Sequence, residues 1–114
     1  ALVPRTMEAR GLDASPAVRH KLASVGDAAG AAILDTILRE EVGHVAIGNH
    51  WYRWLCERTG LDAEAHYTVL VRRHEAPQPK PPLNLDARRR AGFTETELAW
   101  LTYGENASNA PNAF

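Results

Sequence analysis

The feature that most constrains this chain is the stretch from Asp27 to Gly60, which holds no proline and returns apolar side chains every three or four positions. Asp27 stands where a helix N-cap belongs, and Gly60 is the residue type that lets a chain leave a helix. A helix through about Arg58, at 1.5 Å per residue, reaches about 45 Å. Helices of that length belong to bundles, where a long apolar stripe finds a partner along its whole length.

Near the middle of this helix lies Glu41-Val42-Gly43-His44. Turning about 100° per residue from Glu41, one side collects Leu34, Ile37, Leu38, His44, Val45, Gly48, Tyr52 and Leu55. Asp35, Arg39, His50, Arg53 and Glu57 fall on the other side. Glu41 and His44 are therefore expected to point into the apolar stripe. A carboxylate taken out of water needs a neutralising partner, because losing its hydration costs several kcal/mol or more. Positions i and i+3 share a helix face, so the carboxylate and imidazole can converge on one cation, and Glu-x-x-His is the recurring ligand unit of metal-carboxylate bundles. The alternative is a buried ion pair or hydrogen bond, for instance to an arginine, with His44 a satisfied core histidine.

The other elements follow from local chemistry. The opening Ala1 to Arg10 reads as the interior of a helix, which Gly11 is expected to end; Ser15-Pro16 then restarts a short one that Gly26 closes. Asp62 caps a helix through about His74. Pro77, Pro79, Pro81 and Pro82 forbid regular structure, so residues 76–84 form an extended strap across the bundle surface. Asn84 starts a turn or two through Arg90, closed by Gly92. Thr94-Glu95-Thr96-Glu97 spells a capping box, with Phe93 placed to staple onto Leu98, so a last helix runs through about Tyr103. Residues 1–103 thus make one all-α domain, and the Asn/Ala-rich residues 104–114 are expected to be a mobile tail.

With 114 residues, 45% hydrophobic and 24% charged, the chain suits a single domain with a modest core. The net charge of −1 argues against a nucleic-acid binder, and no run is long and apolar enough for a membrane span. The single cysteine, Cys56, excludes an intrachain disulfide framework and fits a cytoplasmic protein, with packing as its role.

Three groups of residues carry a resemblance: Glu8-Ala9-Arg10-Gly11-Leu12-Asp13; Ile37 to Gly48, with Glu41 and His44 inside it; and Asn84-Leu85 with Ala87-Arg88 and Ala91-Gly92-Phe93. Over residues 1 to about 102 the chain resembles the C-terminal half of a bacterial ferritin-like family, the domain-of-unknown-function family four-five-five. The resemblance implies a ferritin-like helical bundle with Glu8 on its third helix and Glu41 and His44 on its fourth. Ferritin-like dimetal sites take one Glu from each of two helices and a Glu-x-x-His from each of the other two. The implied metal ligands are therefore Glu8, Glu41 and His44, half of a six-ligand set. The other half would come from N-terminal helices of the same domain or from a second copy of the chain in a homodimer.

Iron is the implied cofactor, as a di-iron site, with manganese or zinc as alternatives, since ligand type selects poorly among divalent ions. The expected function is O2-dependent oxidation or hydroxylation of a small-molecule substrate. Metal storage and a non-catalytic helical interaction module, with Trp51, Trp54 and Trp100 as anchors, are the alternatives. The family is also likened to an enzyme that hydroxylates a modified adenosine in transfer RNA. Arg72-Arg73 and Arg88-Arg89-Arg90 could meet phosphates, but near helix C-termini they equally complement the helix dipole. His20, His50, His66 and His74 are expected in surface or capping roles, Tyr52 in core packing, and Gly43 and Gly48 at a close helix contact.

Overall fold

The computed structural model describes residues 2–104, and in that stretch the chain is all-α, with no strand. A π-helical segment, Val3–Glu8, runs directly into α1 (Ala9–Ser24), followed by α2 (Ala28–Arg58), α3 (Ala63–Arg73), α4 (Leu85–Arg90) and α5 (Glu95–Tyr103). Of the expected tail at 104–114, Gly104 is described, as the C-cap of α5, and residues 105–114 lie outside the described residues.

The capping chemistry places most boundaries. Asp27 accepts from the Gly30 amide at 2.8 Å, and Asp62 and Asn84 cap α3 and α4 in the same way. Thr94 and Glu97 form the reciprocal capping box of α5, with Phe93 and Leu98 in one buried cluster as a staple requires. Gly26, Gly60 and Gly92 all take positive φ as the chain leaves a helix.

One boundary differs from expectation. Gly11 does not end the first helix and Ser15-Pro16 does not restart it; Pro16 lies inside α1. The Ser15 hydroxyl bonds back to the Gly11 carbonyl at 2.6 Å rather than capping anything. Proline normally disrupts a helix interior because its missing N–H orphans the carbonyl four residues earlier. Here that carbonyl belongs to Leu12, and it accepts from Asn84 Nδ2 at 3.0 Å. The bond lost within the helix is replaced by one from the end of the strap.

α1 and α2 form an antiparallel hairpin whose register is visible in four contacts. Pro4 meets Gly48, Arg5 meets Asn49, Gly11 meets Glu41, and Arg19 meets Asp35. Gly48 is the tightest: a Cβ added there would sit 2.4 Å from Pro4 Cβ. This is the close helix contact expected of Gly48, whereas Gly43 faces open space.

One side of the hairpin is covered. α3 returns along the C-terminal half of α2, where Tyr52, Cys56 and Tyr67 are buried together. Residues after α3 cross to α1, and α4 and α5 settle over Ala9, Leu12 and Val45 with Ala87, Ala91, Phe93, Leu98 and Leu101. The opposite side is bare. By helical phase it carries Val3, Met7 and Val18 from the first helix and Ile33, Ile37, Ile47, Trp51 and Leu55 from α2, all exposed.

Candidate metal centre

Glu41 and His44 lie together on α2, His44 Nδ1 3.6 Å from Glu41 Oε2. Two donors at this separation are spaced close to what neighbouring ligands of one ion need when each bond is about 2 Å. The pair is not buried as the stripe predicted: the His44 side chain is 62% exposed and that of Glu41 24%. The reason lies in the width of the stripe. Its inner edge, Leu38, Val45 and Tyr52, packs against the covered side, and its outer edge, Ile37, His44 and Leu55, belongs to the bare side. Among the described residues nothing forces the Glu41 charge indoors.

Glu8 is exposed one turn before Gly11, and an added Cβ on Gly11 would lie 3.9 Å from Glu41 Cγ. The antiparallel register therefore sets Glu8 level with His44 along the hairpin. Glu8 is not gathered with the pair, however: among the described residues no three His, Cys, Asp or Glu side chains close on a common point. Of the three implied ligands, the structure brings two together.

Among the described residues the ion pair of Glu41 is the one with His44, not one with an arginine. The buried charge of this fold is elsewhere, in residues that periodicity did not single out. Arg5, 1% exposed, donates through Nε to Asn49 Oδ1 at 2.6 Å and through Nη2 to Glu97. Its guanidinium lies over the rings of Tyr67, Tyr52 and Phe93 at 4.4, 5.3 and 5.1 Å. Burial pushes its pKa down to about 10, so it stays charged at neutral pH. Glu97 also accepts from Arg53 at 2.7 Å, and Asn49 donates to the Ala91 carbonyl at 2.6 Å. One set of polar groups thereby joins the start of the chain, α2, the end of α4 and α5.

A second buried pair explains two of the sequence motifs. Arg88 grips Asp13 in bidentate fashion, at 2.9 and 2.6 Å, and Asp13 also accepts from the Asn84 amide at 2.8 Å. Gly-Leu-Asp on α1 and Asn-Leu with Ala-Arg on α4 are thus one clasp. Arg88 is buried against Asp13 and so turned away from any phosphate outside, while Arg89 pairs on the surface with Glu95 and Asp86. The signal available beforehand was a polar residue, Asn49, in phase with Val45 and Tyr52.

Of the remaining candidates, Cys56 is buried as packing. Tyr52 is buried too, but its hydroxyl reaches His66 Nδ1 at 2.9 Å and the Ala63 carbonyl at 3.2 Å, so His66 is a half-buried partner and not a surface residue. Desolvation raises the Tyr52 pKa, keeping the phenol protonated. Trp51 and Trp54 are exposed and packed edge to face at 5.6 Å, with Arg58 over Trp54.

The profile of a family described as "Protein of unknown function (DUF455)" matches residues 1–99. The chain belongs to the DUF455 family. An uncharacterized protein of Haemophilus influenzae is 52% identical over 101 residues, which cover 89% of this DUF455 chain and 35% of that protein. The chain therefore spans about a third of the length of the curated relative it matches. No solved structure matches it.

Proposed function

We propose that this DUF455 chain is part of a ferritin-like metalloprotein in which Glu8, Glu41 and His44 supply half of a dimetal-carboxylate centre. The observation that carries the reading is the Glu41–His44 pair, with donor atoms 3.6 Å apart, in the middle of an uncovered apolar helix face. Solvated surfaces rarely surround an ion-binding pair with isoleucine and tryptophan; such a face suits a second helical layer that would complete the ligand set and close it from water. That layer would come from N-terminal helices or a second copy of the chain.

Iron fits the donors best, with manganese or zinc also compatible with two carboxylates and an imidazole. When bound, an iron pair would supply the electrons for O2-dependent oxidation or hydroxylation of a small-molecule substrate in a cytoplasmic protein. The chain's own contribution is positioning. Gly11 on α1 faces Glu41, where an added Cβ would sit 3.9 Å from Glu41 Cγ, and Ile37, Ile47 and Trp51 would exclude water from the covered face. His44 turns Nδ1 toward Glu41, leaving Nε2 for an outer acceptor that would fix the ring.

The test is metal content. Full-length protein purified without chelator should hold stoichiometric iron, manganese or zinc, and Glu41→Ala and His44→Ala should each lose it while remaining folded. Metal-free wild type of full stability would refute the proposal. It would leave a helical interaction module, which the exposed Trp51–Trp54 pair favours.

A further inference from the structure

α3 and α5 flank one cleft and are joined near their starts, where Glu64 accepts from the Thr94 hydroxyl at 2.7 Å. The cleft has a volume of about 290 Å³. A water in the liquid takes up about 30 Å³, so several fit, and the cleft reaches the size at which proteins take up small molecules, about 300 Å³. Its lining is divided between aromatic rings and oxygens. Tyr67 and Phe93, both buried, and the half-buried Trp100 supply the apolar part. The Tyr67 and Trp100 rings meet edge to face, with centroids 6.5 Å apart.

The charges around the cleft are all of one sign. Asp62, Glu64 and Glu97 line it, and among its described lining residues there is no Lys, Arg or His. Glu97 is neutralised by Arg5 and Arg53, which are not part of the lining. Asp62 and Glu64 bond to neutral groups instead: Asp62 accepts from the Glu64 amide at 3.1 Å, and Glu64 from Thr94. Each acid has a local reason to stand at the start of α3, where the helix dipole favours a negative charge. Local structure does not account for their opening onto a cavity with aromatic walls. Two carboxylates without a countercharge beside such walls repel an anion and attract a cation, and a ring face adds its own attraction for one. The apolar lining in turn favours a hydrocarbon body over a bare metal ion, which needs more oxygens around it.

We infer that the cleft between α3 and α5 is a binding site for a small organic cation, a primary amine carrying an aryl or alkyl body. The ammonium group lies toward Asp62 and Glu64 and forms charge-assisted hydrogen bonds with them, while the body rests against Tyr67, Phe93 and Trp100. Filling the cleft braces α3 against α5, both of which contact the buried Arg5. The site is independent of Glu41 and His44, which do not line it.

The test uses full-length protein and three probes of one shape. At constant ionic strength phenethylammonium should bind with a Kd of about 0.1–1 mM, and about tenfold or more tighter than phenethyl alcohol, while phenylacetate should not bind. In an NMR titration the Trp100 indole N–H should shift with the same Kd, and those of Trp51 and Trp54 should stay in place. Asp62→Asn combined with Glu64→Gln keeps the α3 cap and an acceptor for Thr94 but removes both charges; it should bring the amine down to the affinity of the alcohol. The inference is overturned by absence of amine binding up to about 10 mM, by equal binding of amine and alcohol, or by a shift at Trp51 or Trp54 instead of Trp100. It is equally overturned if the double variant, folded as judged by its Tm, keeps the preference for the amine. If that variant does not fold, the wild-type affinities and the Trp100 shift decide.

Discussion

The two faces of α2 follow opposite rules. On the covered face, Val45, Asn49, Tyr52 and Cys56 are buried, and each polar group among them has a partner on another element. On the bare face, Ile37, His44, Ile47, Trp51 and Leu55 are exposed, and the polar contact of Glu41 and His44 is a local one within α2. The same apolar content yields a finished core on one side and a surface without a lid on the other. Hydrophobic periodicity therefore marks the apolar faces of a helix, and says little about which of them the neighbouring elements cover.

The comparison can be broken most severely at Glu97, the acceptor shared by Arg5 and Arg53 and the closing residue of the α5 capping box. Glu97→Ala leaves the buried Arg5 charge unpaired and should cost about 3–5 kcal/mol in urea unfolding. A loss near that of an exposed ion pair would mean the covered face is held by apolar packing alone. The seam between the faces is tested next. Gly48→Leu drives a side chain into the Pro4 ring and should cost about 1–3 kcal/mol; an unchanged Tm would show that the hairpin can open without penalty. The bare face should respond least. Ile47, 60% exposed, should tolerate Asp in this segment within about 0.5 kcal/mol. The same substitution in the full-length protein should destabilise by several times more, if a second layer covers that face. Equal effects in the two lengths would sharpen the view that the face remains open.

The fold was legible in the sequence wherever structure is set locally. Asp27, Asp62, Asn84 and the Thr94–Glu97 box act through their own neighbours, so α2 to α5 begin where their caps stand. Pro16 misled because its effect depends on a distant residue: without Asn84 across from Leu12 a break at Gly11 would be the sound expectation. The candidate centre was legible as a helix-face pair and as part of a family pattern, but its exposure was not. Burial belongs to tertiary contacts, and the stripe around Glu41 was wider than this chain's own elements fill. Arg5, Arg88 and Glu97 were illegible for the complementary reason. Charged residues are usually exposed, and only the meeting of α1, α2, α4 and α5 reveals that these three are not.

The placement of Pro16 has an effect on how the segments find one another. In an ordinary helix the Leu12 oxygen would be occupied as soon as that turn formed, and the strap would arrive to find no acceptor. Because a ring stands where a competing amide would be, the oxygen waits. The hairpin can form early and still recognise the loop that arrives some seventy residues later, so a residue known for interrupting helices here reserves a docking point between parts of the chain far apart in sequence.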